Sequence, residues 1–124
     1  MEDPKTILIC DDEPALRELI RASLQDGYRF AEASDGITAL ELARELVPDV
    51  VILDLMLPRL GGLEVLARLR ADEHLRRVPV LVITAWNETR EDVLAAGAAD
   101  FTSKPFDPDA LKTSVERLLD AGPP

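Results

Sequence analysis

Four places in this chain set a polar or charged residue directly behind a short, strand-like run. Asp11-Asp12 follows Ile7-Leu8-Ile9-Cys10, Asp54 follows Val50-Val51-Ile52-Leu53, Thr84 follows Val80-Leu81-Val82-Ile83, and Lys104-Pro105 follows Asp100 to Ser103. In an open parallel sheet, ligands bind beyond the carboxyl ends of the strands, so these positions converge on one crevice. Three carboxylates gathered there repel one another unless a divalent cation sits among them. Mg²⁺ suits the task because it takes hard oxygen ligands, keeps several waters and serves phosphoryl chemistry with one or two direct carboxylates. Such an ion would neutralise an incoming phosphoryl group and leave one carboxylate able to attack phosphorus. Asp54, alone at the end of a central strand, is the candidate nucleophile, and the Asp11-Asp12 pair is better placed to hold metal. Lys104 offers a compact positive charge and Thr84 a hydroxyl, both able to bind a phosphoryl oxygen.

The elements that must position these residues are legible from their periodicity. The three continuously apolar runs read as parallel strands buried on both faces. Two weaker strands are expected over Arg29 to Ala33, closed by the turn signal Ser34-Asp35-Gly36, and over Asp100 to Ser103. Helical spacing appears in Leu16, Leu19, Ile20, Ser23 and Leu24 after Pro14, and in Leu40, Ala43, Leu46 and Val47 before Pro48. It recurs in Leu63, Leu66 and Leu69 after Gly61-Gly62, and in Leu111, Val115, Leu118 and Leu119. A short, Ala-rich fourth helix is expected over Thr89 to Ala96, ended by Gly97. Strand and helix alternate, so the fold class is α/β, a doubly wound five-stranded parallel sheet with helices on both faces.

Composition narrows the function classes. A chain of 124 residues with 47% apolar residues suits one domain, expected here over 1–124 with a core of about 5–120 and a frayed end at 121–124. Apolar runs fall short of membrane-spanning length and Met1 is followed by Glu2-Asp3-Pro4, so neither membrane insertion nor export is expected and the cytoplasm is the expected compartment. The single Cys10 lies in an apolar run, as a buried thiol would. A net charge of −10 repels phosphate backbones, which argues against direct nucleic-acid binding.

The segments Ile9-Cys10-Asp11-Asp12-Glu13-Pro14, Asp54-Leu55-Met56-Leu57-Pro58, Gly61-Gly62, Thr84-Ala85, Gly97-Ala98 and Lys104-Pro105-Phe106 together resemble the response-regulator receiver domain of two-component signalling, the CheY-like superfamily. The resemblance covers nearly the whole chain, and the order and spacing of the motifs carry it. It implies a flavodoxin-like strand order 2-1-3-4-5 and a cis bond between Lys104 and Pro105. It also implies Asp54 as phosphoacceptor, Asp12 as a direct Mg²⁺ ligand, Asp11 as a ligand acting largely through water, and the Met56 carbonyl as the remaining protein ligand. Thr84 and Lys104 match the phosphoryl-binding pair, and Phe101 falls at an aromatic switch position. The implied partners are a sensor histidine kinase or histidine phosphotransfer protein and a downstream effector protein, with the chain a monomer or weak dimer and not an enzyme in its own right.

Blander readings stand beside these. Asp11-Asp12 could simply complement the start of the first helix, Asp54 could open a turn towards Pro58, and Phe101 could be plain core. His74, in a polar stretch, is assigned no role. Two further class-level rivals are a Mg²⁺-dependent phosphotransferase with an aspartyl nucleophile and an interaction module that works without phosphorylation. Trp86 and Met56, each two positions beyond a site residue, are expected to shield an acyl phosphate from water. The short interval between Thr84 and Gly97 predicts an unusual output face at the fourth helix.

Overall fold

The computed structural model describes residues 3–24, 27–85 and 88–121. Alternating apolar runs and amphipathic stretches fold into β1 (Thr6–Cys10), α1 (Pro14–Leu24), β2 (Arg29–Ala33), α2 (Gly36–Leu46) and β3 (Val50–Leu53). They continue as α3 (Gly62–Ala71), β4 (Val80–Thr84), α4 (Arg90–Ala95), β5 (Asp100–Ser103) and α5 (Pro108–Ala121). The strands form one parallel sheet in the order β2-β1-β3-β4-β5, which is the doubly wound arrangement expected. Thr84 is the last residue of β4 and not the first beyond it, and Ala121 is still helical; 122–124 lie outside the described residues.

The two-residue period of a strand sorts the core into two layers. Leu8, Cys10, Val51, Leu53, Val80 and Val82 pack on one face against α2, α3 and Val93 of α4. Ile7, Ile9, Val50, Ile52, Leu81 and Ile83 pack on the other against Ile20 and Leu24 of α1 and Leu111 and Val115 of α5. Every residue of β3 and β4 is buried, which is why those runs read as unbroken apolar segments.

Several apolar helix positions face outward, contrary to expectation. Leu19, Leu46, Val47 and Leu63 are 46%, 41%, 49% and 37% exposed. The stripes actually buried are Ile20 and Leu24 in α1, Ala39, Leu40 and Ala43 in α2, and Val65, Leu66 and Leu69 in α3, each about one turn wide. Helical spacing alone did not distinguish these from their neighbours at the stripe edge. Ser23 is not part of an apolar stripe either; its hydroxyl donates to the Leu19 carbonyl at 2.8 Å.

One close approach shapes the loop that follows β3. A Cβ on Gly36 would overlap the backbone carbonyl of Leu60, so only glycine lets the start of α2 lie against this loop. Asp35 completes the junction by capping α2: Oδ1 accepts the Thr38 N–H at 2.8 Å and Oδ2 the Thr38 hydroxyl at 2.9 Å. These hydrogen bonds, led by the backbone bond from Thr38 and aided by Arg59, hold the Asp35 carboxyl below the usual carboxylate range against the opposing effect of desolvation. A depressed folded-state pKa means stability that is present above the unfolded value and lost as pH falls through the folded one. Asp35→Asn is therefore expected to melt at a lower temperature than the parent at neutral pH, with the gap closing below pH 3.8 as the parent's own carboxylate protonates. Thermal denaturation across the acid range measures this, and a gap independent of pH would contradict it.

Candidate functional site

The sheet ladder continues one residue past three strand ends and so aims their side chains. Asp11 N–H donates to the Ala33 carbonyl at 3.0 Å and Asp54 N–H to the Cys10 carbonyl at 2.9 Å. Lys104 N–H donates to the Thr84 carbonyl at 3.0 Å, and the Lys104-Pro105 bond is cis, as the motif implied. With the backbones fixed, the side chains meet. Lys104 Nζ donates to Asp11 Oδ2 and to Asp54 Oδ2, both at 2.9 Å. The second oxygen of each acid accepts a backbone N–H, from Glu13 for Asp11 at 2.9 Å and from Met56 for Asp54 at 3.0 Å. Asp11 and Asp54 are buried while Asp12 beside them is exposed.

The bland reading of Asp11 is thus partly true, since it holds the turn into α1, yet its other oxygen is committed to the cluster. Gly62 explains how α3 can begin so close behind Asp54. A Cβ there would lie 2.5 Å from the Asp54 carbonyl oxygen and 2.5 Å from Leu55 Cα.

One ammonium serves two buried acids, and the consequences differ for cation and acid. Burial pushes the Asp11 carboxyl up, and the nearby Asp54 charge adds to this; the hydrogen bonds from Glu13 and Lys104 and the Lys104 charge only partly offset it. Burial acts to lower the Lys104 ammonium, but hydrogen bonds to Asp54 and Asp11 and their charges outweigh it, so its pKa is raised. The two directions agree physically: Lys104 gains from two anions, whereas Asp11 shares a single cation with another acid. The buried Cys10 thiol is pushed far up by burial and then by Asp11, so it is not a ready nucleophile.

The donor set fits a hard divalent cation. Asp11, Asp12 and Asp54 each offer an oxygen, and these atoms lie within 4.8 Å of one another. Opposite ligands across an octahedral Mg²⁺ are about 4.2 Å apart. Asp12, exposed and with neither oxygen in a hydrogen bond or ion pair among the described residues, is the acid freest to bind directly.

Of the residues singled out from sequence, Asp11, Asp12, Asp54 and Lys104 come together here. Thr84, fully buried, joins through its backbone bond to Lys104. Met56 joins through its N–H, with its side chain 56% exposed. Phe101, in β5, pairs with Val82 of β4 and packs, partly buried, on the core layer that holds Val93. Trp86 lies outside the described residues.

Sequence reasoning missed three arginines. Arg17 donates to the Asp11 carbonyl at 2.6 Å and pairs with Glu32 at 2.9 Å, steadying the first strand end from α1. Arg90 ties α4 to β5 through Asp100 at 2.8 Å and the Phe101 carbonyl at 3.2 Å. Arg70 donates to the carbonyls of Gly97, Arg76 and Val78, each at 2.8 Å, and burial lowers its pKa. No local sequence signal marks any of them, because each partner lies on another element.

A doubly wound parallel sheet with an acid cluster and a lysine at its carboxyl rim is the architecture of a receiver-type domain. The family model for the response regulator receiver domain matches residues 7–116, and the chain belongs to that family. Among curated relatives, it is 44% identical over 119 residues to the response regulator MprA of Mycobacterium sp. strain KMS, covering 94% of this chain and 51% of that protein. It is 41% identical over 116 residues to the DNA-binding dual master transcriptional regulator RpaA of Synechocystis, covering 91% and 48%. The chain thus spans about half the length of the curated relatives it matches. Among solved structures, the chemotaxis response regulator CheY4 of Vibrio cholerae superposes with a TM-score of 0.84 at 30% identity, covering 94% of this chain and 99% of that one. The receiver domain of sensor histidine kinase PA1611 from Pseudomonas aeruginosa PAO1 does so with a TM-score of 0.85 at 34% identity, covering 94% and 98%; it carries a magnesium ion coordinated in its active site cleft.

The like-charge crowding yields a test. Asp12→Asn is expected to raise the melting temperature in the absence of divalent ions by relieving repulsion, and to weaken Mg²⁺ binding at least about tenfold, the equivalent of ~1.4 kcal/mol. Melting curves with and without Mg²⁺ measure both effects; a variant that is less stable without the ion would refute the electrostatic account.

Proposed function

We propose that residues 1–124 form one receiver domain that accepts a phosphoryl group on Asp54 from a histidine kinase or histidine phosphotransfer protein and signals by protein contact. The observation that carries this reading is the position of Asp54: buried, its carboxylate held between the Met56 N–H and Lys104 Nζ, within metal-bridging reach of Asp11 and Asp12. In the transfer, an Asp54 carboxylate oxygen forms a bond to phosphorus as the bond from phosphorus to the donor's imidazole nitrogen breaks, and the imidazole leaves with the electron pair. A bound Mg²⁺, held directly by Asp12 and Asp54 and the Met56 carbonyl and through water by Asp11, would neutralise phosphoryl oxygens.

This chain's own residues then do the rest. Lys104 stays paired with Asp11 and turns its remaining donors to a phosphoryl oxygen, and the Thr84 hydroxyl donates to another. Withdrawal of Thr84 towards the new group leaves room for Phe101 to turn inward. Without a hydroxyl, Phe101 would be driven by packing alone, and its move would repack β5 against α4. A groove of about 340 Å³ beside the site, lined by Leu16, Leu19, Pro105 and Phe106 with Glu13 and Lys104, gives a phosphodonor protein an apolar seat next to Asp54.

The chain positions one acid for one transfer and is a signalling module rather than an enzyme that turns over a small substrate. At a net charge of −10 these residues are not themselves read as a nucleic-acid surface; the DNA binding of the full-length relatives would fall to other segments of a longer protein. No helix among the described residues is long and apolar enough to cross a membrane, in keeping with work in the cytoplasm.

Mass spectrometry after incubation with acetyl phosphate and Mg²⁺ is expected to show one added phosphoryl group, absent without Mg²⁺ and absent in Asp54→Asn. Continued turnover of a small phosphate ester would favour the aspartyl phosphotransferase instead, and failure of beryllium fluoride to bind would favour a module that works without phosphorylation. Shielding of the acyl phosphate by Trp86 and by the exposed Met56 side chain gives a second expectation: Trp86→Ala loses its phosphoryl group several-fold faster, followed as release of inorganic phosphate. An unchanged rate removes the shield.

A further inference from the structure

At the amino ends of the strands, opposite the acid cluster, a cavity of about 330 Å³ opens between the start of β1, the turn after α2, the loop before β4 and the end of α5. Its walls are largely apolar, built from Val47, Val78, Leu118 and Leu119 with two prolines. That volume is at the lower end of the ~300–1,000 Å³ typical of small-molecule sites.

Its charges run against those of the rest of the chain. Lys5 and Arg77 line it with exposed side chains, and neither has an ion-pair partner among the described residues. The acid at the cavity, Asp49, turns Oδ2 to the Thr6 N–H at 2.8 Å, where it serves the start of β1. His74 also lines the cavity, with a 3.6 Å contact to Glu73 on its own loop. In a chain of net charge −10, the lining of this apolar hollow carries two cations, Lys5 and Arg77, against one acid, Asp49.

Val47 adds an independent sign. It ends α2 with φ 44° and ψ 68°, a left-handed conformation that is costly for a β-branched residue, and its side chain is 49% exposed at the cavity wall. Glycine or asparagine would serve the turn better. Valine there supplies an apolar surface at the expense of the helix end.

We propose that this cavity is a second binding site, for a small amphipathic carboxylate whose chain lies on Val47, Val78, Leu118 and Leu119 and whose head group pairs with Arg77 and Lys5. Arginine can grip a carboxylate through two parallel N–H donors, which gives the head group a defined seat. The site lies at the end of the sheet away from Asp54.

The test titrates the ¹⁵N-labelled 124-residue chain with octanoate, octanol and octylamine. Octanoate is expected to shift the amides of Lys5, Val47, Asp49, Arg77 and Leu119 saturably and to leave those of Asp11 and Asp54 in place. Octanol should bind at least about tenfold more weakly and octylamine not at all at this site. The Lys5→Gln, Arg77→Gln double variant, changed only at exposed positions, should lose octanoate affinity by about tenfold or more. Val47→Asn should melt higher than the parent and still bind octanoate more weakly, which separates the wall's role from folding. Equal affinity for octanoate and octanol, an affinity unchanged in the double variant, or no saturable shift at the cavity would each overturn the proposal.

Discussion

Two buried carboxylates, a third at their edge and a single ammonium make up the site, leaving an excess of negative charge where water is scarce. Burying a carboxylate costs several kcal/mol unless it is paired and hydrogen-bonded. Asp11 and Asp54 each meet that condition by giving one oxygen to a backbone N–H and the other to Lys104, and the raised Asp11 pKa shows that the balance is still incomplete. A site in this condition favours any cation that can add positive charge through oxygen ligands. Under the proposed phosphorylation, Asp54 would exchange its single negative charge for the roughly −1.5 to −2 of an acyl phosphate, so the need for a cation would grow. A bound cation would act directly on this imbalance, and the fold keeps the imbalance in place.

The sheet can do so because its centre is rigid. β1, β3 and β4 are buried on both faces, and the backbone bonds that extend the ladder to Asp11, Asp54 and Lys104 leave those strand ends no freedom to splay apart under repulsion. Arg17, pulling on the Asp11 carbonyl from α1, and Gly62, admitting α3 against the Asp54 carbonyl, close the site from the two sides of the sheet. Loss of native packing would release the repulsion, so the hydrophobic layers and the acid cluster oppose each other energetically. Stability is given up locally to hold the acids together.

How much of this could be read in advance depended on whether the signal was local. β3 appeared with its observed ends because a continuous apolar run bounded by polar residues leaves little choice, the weaker β2 and β5 also matched at Arg29–Ala33 and Asp100–Ser103, and the acid cluster followed from the rule that strand ends carry function. Leu19, Leu46, Val47 and Leu63 were misplaced because a helical stripe fixes a face only to within one residue either side, and which neighbour turns inward is decided by the sheet beneath. Arg17, Arg70 and Arg90 were invisible for a related reason. Their partners are backbone carbonyls or acids on other elements, and a carbonyl has no sequence signature. Asp35 was read as part of a turn, while its cap on α2 and the Gly36 approach to Leu60 needed the loop after β3 to be seen in place.

The fourth helix, α4, depends on the core and on the arginines together. At six residues it has room for few internal hydrogen bonds, too few to hold a helix by itself, and it keeps its shape through Val93 in the core, the Thr89 cap and outside anchors. The anchors are arginines at either end. Arg90 grips Asp100 and the Phe101 carbonyl in β5, and Arg70 grips the Gly97 carbonyl while spanning to Arg76 and Val78 in the loop before β4. A Cβ at Gly97 would press on the Arg70 side chain at 2.8 Å, so the fit at that end is close. A short element of low intrinsic stability, fastened to β5 beside Phe101, responds to small changes in that strand more readily than a long helix would. Under the proposed phosphorylation of Asp54, inward movement of Phe101 would act first on the Arg90 bonds. The shortness of α4 then makes the output face easier to shift, with the Arg70 clamp fixing the end about which it moves.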